Sequence, residues 1–116
     1  MDTLEFARFI VDVVEENKAD NIVLLDLRPD TVIADFFVVC TGNSERQIRA
    51  LSDYVRTEVK DTHHKLPYSS EGTPASGWVL VDYGDVVVHI FSKEQREYYS
   101  LESLWSEVSN VLLNIQ

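Results

Sequence analysis

Apolar residues recur at helical spacing from the start of the chain: Leu4, Ala7, Ile10/Val11 and Val14 predict a helix over residues 2–18. Phe6, Phe9 and Val13 widen the stripe beyond what one contact surface needs. Such a helix is either covered on two sides or turned partly towards a partner, and burial is the simpler reading. Asn21 precedes Ile22-Val23-Leu24-Leu25-Asp26-Leu27, whose β-branched and apolar content predicts a strand. Arg28-Pro29-Asp30-Thr31 then reads as a turn, with Pro setting φ and Asp able to cap. The stretch from Ala34 to Thr41 is apolar on both alternating faces, the pattern of a central strand covered on both sides. The short link between these strands predicts that they pair antiparallel.

Gly42-Asn43-Ser44 ends that strand, and Ser44 with Gln47 forms a capping-box pattern for a second helix. Ile48, Leu51, Val55 and Val59 supply its buried stripe. From Lys60 to Pro74 the chain is mostly polar and predicts a long connection, with a short extended piece at Leu66-Pro67-Tyr68. Gly77-Trp78-Val79-Leu80-Val81-Asp82 and Val86-Val87-Val88-His89-Ile90-Phe91 form a predicted hairpin, its tight turn at Tyr83-Gly84. Ser92 with Gln95 is a second capping pattern. Leu101, Leu104, Trp105, Val108, Val111, Leu112 and Ile115 lie at helical spacing to the end, with Ser100 able to cap. The order is helix, strand pair, helix, strand pair, helix. It predicts an α/β (α+β) fold, a mixed sheet with flanking helices, as one domain over residues 1–116.

Composition narrows the class. Hydrophobic residues make up 45% and charged residues 26%, enough for a real core and typical of globular chains. The lone cysteine, Cys40, has no internal disulfide partner, which suits a reducing compartment. The acidic start has no basic region followed by an apolar core, and no apolar run approaches the ~20 residues of a membrane span. The expectation is a soluble, cytoplasmic protein without a membrane role. The formal net charge of −10 opposes direct nucleic-acid binding and favours a basic protein partner, although charge of this sign also simply keeps a protein in solution.

Candidate chemistry is thin. Gly42-Asn43-Ser44 sits where a strand enters a helix, as the Gly-Ser turn of nucleotidyltransferases does, yet it is also ordinary helix punctuation. Those enzymes need carboxylates converging on magnesium. The strand-associated Asp26, Asp35, Asp82 and Asp85 include no Asp-x-Asp pair. His63-His64 are adjacent on one segment, a poor geometry for a shared ion, and Cys40 lies on an apolar strand. No catalytic residue, metal or cofactor is expected. A nucleotidyltransferase-like enzyme with a magnesium site is the alternative.

The hairpin is more informative. Trp78, Leu80 and Asp82 share one strand face, and Val79, Val81 and Tyr83 share the other. If Val79 and Val81 enter the core, Trp78 and Leu80 turn outward and make an anchor patch edged by a carboxylate. If both faces are covered, the strand is merely central.

These segments resemble the ribosomal silencing factors, the Iojap family. The likeness is carried by Leu24-Leu25-Asp26-Leu27-Arg28, by the run from Ile33 to Ser44 with Arg46-Gln47, by the run from Gly77 to Phe91, and by Arg96-Glu97-Tyr98-Tyr99-Ser100-Leu101-Glu102 with Leu104-Trp105. Residues 63–76 contribute least. The resemblance implies a nucleotidyltransferase-like fold without the catalytic residues. It also implies binding to the fourteenth protein of the large ribosomal subunit, which blocks joining of the small subunit and lowers translation, notably under nutrient limitation. The implied partner surface is Trp78, Leu80, Asp82 and Tyr83, with Asp85 and Tyr98 as additions. Homodimerisation through the first helix is a further reading, compatible with silencing.

Overall fold

The computed structural model describes residues 2–28, 34–99 and 110–115. Helix α1 runs Thr3–Glu16, strand β1 Asp20–Asp26, β2 Phe36–Gly42, helix α2 Glu45–His63, β3 Ser69–Thr73, β4 Trp78–Asp82, β5 Val86–Ser92, α3 Lys93–Tyr99 and β6 Asn110–Ile115. The predicted turn at 29–31 lies outside the described residues, as do residues 100–109 of the predicted last helix.

The strands form one six-stranded mixed sheet in the order β3-β4-β5-β2-β1-β6. β1 and β2 pair antiparallel, β4 and β5 form the expected hairpin, and β2 and β5 join these halves as a parallel pair at the centre. β2 is buried along its whole length, as its two-sided apolar pattern requires.

Alternation along the strands splits the interior into two cores. Ile22, Leu24, Phe36, Val38, Cys40, Val79, Val81, Val88 and Ile90 point to one face and meet the apolar sides of α1 and α2. The wide stripe of α1 is used in burial: Phe6, Ala7, Ile10, Val11, Val13 and Val14 are all buried. Phe9 packs edge-on against His63 of α2, ring centroids 4.4 Å apart. Val23, Leu25, Leu27, Phe37, Val39, Val87 and Phe91 point to the other face, with Leu80 at their margin. On that face α3 brings the buried Arg96 guanidinium to the hydroxyl of Thr41 at 2.8 Å.

Capping sets the helix ends. Asp2 accepts from the Glu5 N–H at 2.8 Å and starts α1. Ser44 accepts from the Gln47 N–H at 3.1 Å and starts α2. Gln47 reaches back to the Asn43 N–H at 2.6 Å, one residue before the cap, a variant of the reciprocal box. His64 closes α2 in the left-handed conformation.

Three elements differ from expectation. α2 continues to His63, past the last apolar stripe residue, Val59. Its final turn is held by His63 packing on Phe6 and Phe9. The polar connection contains a strand: Ser69–Thr73 pairs antiparallel with β4 although every side chain on it is exposed. Residues 110–115 form β6 against the outer edge of β1, not the end of a helix. Asn110-Val111-Leu112-Leu113-Asn114-Ile115 is too short for periodicity to separate strand from helix. The open edge of a strand buried on both faces gives a pairing site that local propensity does not reveal.

Candidate functional site

The hairpin places the expected anchor residues. A hydrogen bond from the Tyr83 N–H to the Val86 carbonyl at 2.9 Å closes it, and Gly84 takes φ +89° at the first turn position. That conformation suits glycine and gives the strand twist a two-residue loop needs. The Asp82 carboxylate accepts from the Gly84 N–H at 2.7 Å and braces the turn.

Trp78, Leu80 and Asp82 stand on one face of β4. Trp78 is 37% exposed, whereas Leu80 and Asp82 are half-buried. Cross-strand neighbours hold the indole: its ring stacks near-parallel on Phe91 (centroids 5.6 Å apart) and on His89 (6.0 Å). Its Nε1–H donates to Nδ1 of His89 at 3.3 Å. Burial pushes the His89 pKa down to about 4, with Asp82 opposing the shift, so the ring is neutral at pH 7. His89 therefore accepts at Nδ1 and carries its proton on Nε2, which has no hydrogen-bond partner among the described residues. In the sequence His89 is one residue of the strand run from Val86 to Phe91. Its alternation with Val88 and Ile90 signals its face, but its place beside Trp78 depends on the cross-strand register, in which Leu80 opposes His89.

The remaining expected site residues do not join this group. Tyr83 is only 5% exposed and packs in the first core, edge-on to Phe6 at 5.4 Å, so its ring faces α1. Burial pushes its hydroxyl up to about 12. Asp85 is exposed at the turn. Its carbonyl anchors the Asp35 and Phe36 N–H groups, and it lines a recess with Asp2, Phe6, His63 and Lys65 on the helical side of the sheet. Tyr98 falls within α3, and its side chain lies outside the described residues.

The polar groups considered for catalysis have structural roles. Asn43 donates to the Asp20 carboxylate at 2.7 Å, and Ser44 caps α2. A Cβ on Gly42 would lie 2.7 Å from Ile48 Cγ1, so glycine here permits strand and helix to pack closely. Asp26 pairs with Arg28 at 3.0 Å, whose hydrogen bond holds its carboxyl below the usual range. His63 packs on α1 while His64 caps α2, so the adjacent histidines diverge. Among the described residues no three His, Cys, Asp or Glu side chains gather as a metal site would need.

Residues 1–116 match the family described as ribosomal silencing factor during starvation. The ribosomal silencing factor RsfS of Halalkalibacterium halodurans is 38% identical over 113 residues, covering 97% of this chain and 96% of that protein. A mouse protein named mitochondrial assembly of ribosomal large subunit protein 1 is 32% identical over 84% of this chain and 43% of its own length. A crystal structure of a Chromobacterium violaceum protein superimposes with a TM-score of 0.85 at 36% identity, covering 91% of this chain and 88% of the other. With a family match over its full length and a relative of this identity along nearly all of it, the chain belongs to the ribosomal silencing factor family.

Proposed function

We propose that this protein represses translation by docking on the large ribosomal subunit and occupying space that the small subunit requires. The observation that carries this reading is the Trp78 indole, exposed at its rim yet fixed by Phe91 and His89, beside Leu80 and Asp82 on one face of β4. A rigid, partly exposed aromatic next to an aliphatic residue and a carboxylate is how an interface anchor is built. The net charge of −10 suits a basic partner and speeds encounter with it. The partner in this reading is the fourteenth protein of the large subunit, contacted through Trp78, Leu80 and Asp82. Asp85 and Tyr98 are further contacts in it, and Tyr83 supports the strand from inside.

The family description refers to starvation, and the mouse relative's name refers to the large ribosomal subunit; both support an assignment to ribosome control under nutrient limitation. The mechanism needs no catalytic residue or cofactor, only a folded body of 13.3 kDa in the path of the second subunit. Residues 1–116 act here as one domain in the cytoplasm; no helix among the described residues is long and apolar enough to cross a membrane. Purified protein added to separated subunits tests the proposal: assembly of complete ribosomes falls with dose, and undisturbed assembly at saturation overturns it.

A further inference from the structure

Helix α2 carries a charge pattern at odds with the rest of the chain. Arg46, Arg49, Arg56 and Lys60 are all of its lysines and arginines, four of the ten in a chain of net charge −10. At 3.6 residues per turn they fall within an arc of about 80° and extend about 21 Å along the helix axis. The buried positions Ile48, Leu51, Val55 and Val59 lie on a different side. Asp53 falls within the arc and Glu45 at its margin, so the stripe stays net positive. Asp53 pairs with Arg56 at 2.7 Å. Arg46, Arg49 and Lys60 are exposed and form no ion pair among the described residues.

The stripe stands at the edge of the sheet. Arg49, Ser52 and Arg56 line a recess of about 270 Å³ with Ser70 and Gly72 of β3 and Val79 of β4. Among the described residues β3 is the terminal strand on that side. Gly72 also lines a second recess, with Glu71, Trp78 and Leu80. In the β3–β4 register Glu71 opposes Leu80, and paired residues of antiparallel strands share a face, so this second recess lies on the Trp78 face. β3 thus divides the two recesses, one beside the docking residues and one beside the basic stripe. A particle seated on Trp78 and Leu80 has only one strand to pass, about 5 Å across, before it meets α2.

The basic protein of the docking reading does not suit the stripe, because like charges repel. The other component of a ribosomal subunit is RNA. Its phosphate oxygens accept paired N–H groups from a guanidinium and the point charge of a lysine. We propose that the α2 stripe contacts the phosphodiester backbone of ribosomal RNA next to the protein held by Trp78. The inference rests on the docking reading above. The net charge of −10 keeps the whole molecule off free RNA, so the stripe acts once the Trp78 face has raised the local concentration of phosphates.

The test uses the full chain with purified large ribosomal subunits, read by co-sedimentation across a salt series. The double variant Arg49→Gln with Lys60→Gln removes two exposed cations that hold no ion pair, so its melting temperature should match wild type. Binding is expected to weaken about tenfold at low salt, and the slope of log affinity against log salt to flatten by about 1 per residue removed. Unchanged affinity and slope overturn the proposal. A photoreactive benzophenone on Thr57→Cys, an exposed position at the margin of the stripe, identifies what lies there, since Cys40 is buried. Adducts to RNA are expected. Adducts to protein alone, or none from a bound complex, overturn the RNA assignment and leave the docking reading standing. Trp78→Ala is expected to lose both binding and adducts. If wild type does not bind large subunits, or Trp78→Ala binds like wild type, the docking reading falls and this inference with it.

Discussion

The indole N–H of Trp78 donates to Nδ1 of His89 at 3.3 Å, so the most exposed aromatic of the hairpin is held by a buried, neutral imidazole. The bond exists only while His89 is unprotonated, because an imidazolium has no acceptor nitrogen. Burial lowers the pKa of His89 in the folded state to about 4, against 6.5 for the free side chain. Between these values the unfolded chain takes up a proton that the folded chain refuses. Stability from this group is therefore fully present above pH 6.5 and is lost as pH falls towards 4, at up to about 1.4 kcal/mol per pH unit and about 3 kcal/mol in all. Urea midpoints measured from pH 7.5 to 4 should show this slope, and His89→Gln should reduce it. An unchanged slope in that variant would show that other groups govern the acid limit.

Trp78→Ala is expected to stay folded, since the ring sits at the margin of the second core, but to lose large-subunit binding. Truncating a central interface tryptophan costs about 2 kcal/mol or more, roughly thirtyfold in affinity. Co-sedimentation together with far-ultraviolet circular dichroism checks both halves of the statement.

Asp82→Asn should separate the charge of that residue from its bracing of the turn. The amide oxygen still accepts from the Gly84 N–H, so the hairpin is retained. Association with large subunits should slow a few-fold at low salt and converge on wild type at high salt. Equal rates at every salt concentration would remove Asp82 from the electrostatic contact.

Cys40 is fully buried, and burial pushes its thiol up to about 12. The native protein should resist alkylation at pH 8, and labelling should require opening of the sheet. The labelling rate in increasing urea then reports that opening. Rapid native labelling would place the thiol outside the core.

Much of the fold was legible because the side-chain period of a strand is two. The patterns of β1, β2, β4 and β5 fixed their faces, and the short links fixed the antiparallel pairs, as the structure has them. The same period already put Tyr83 with Val79 and Val81, whereas the family likeness grouped it with Trp78; the core packing follows the period. β3 was not legible, because Ser69-Ser70-Glu71-Gly72-Thr73 carries no apolar signal and pairs only where the β4 edge is offered. Gly72 fits that edge at φ +81°, where an added Cβ would collide with the Trp78 carbonyl. β6 was misread because its apolar run fits two periods at once. The support of Trp78 by His89 and the nearness of Glu71 are both cross-strand facts, and no spacing within one segment contains them.

The position of β6 has a consequence for synthesis. β1 and β2 are made early, but their outer edges are covered only by β6 and β5, which lie at residues 110–115 and 86–92. A growing chain therefore carries its stickiest hairpin with both flanks bare for most of its time on the ribosome that makes it. Such flanks invite pairing with neighbouring nascent chains. Like charge on the acidic side chains spread from Asp2 to Asp85 opposes such pairing until β6 covers the outer edge of β1.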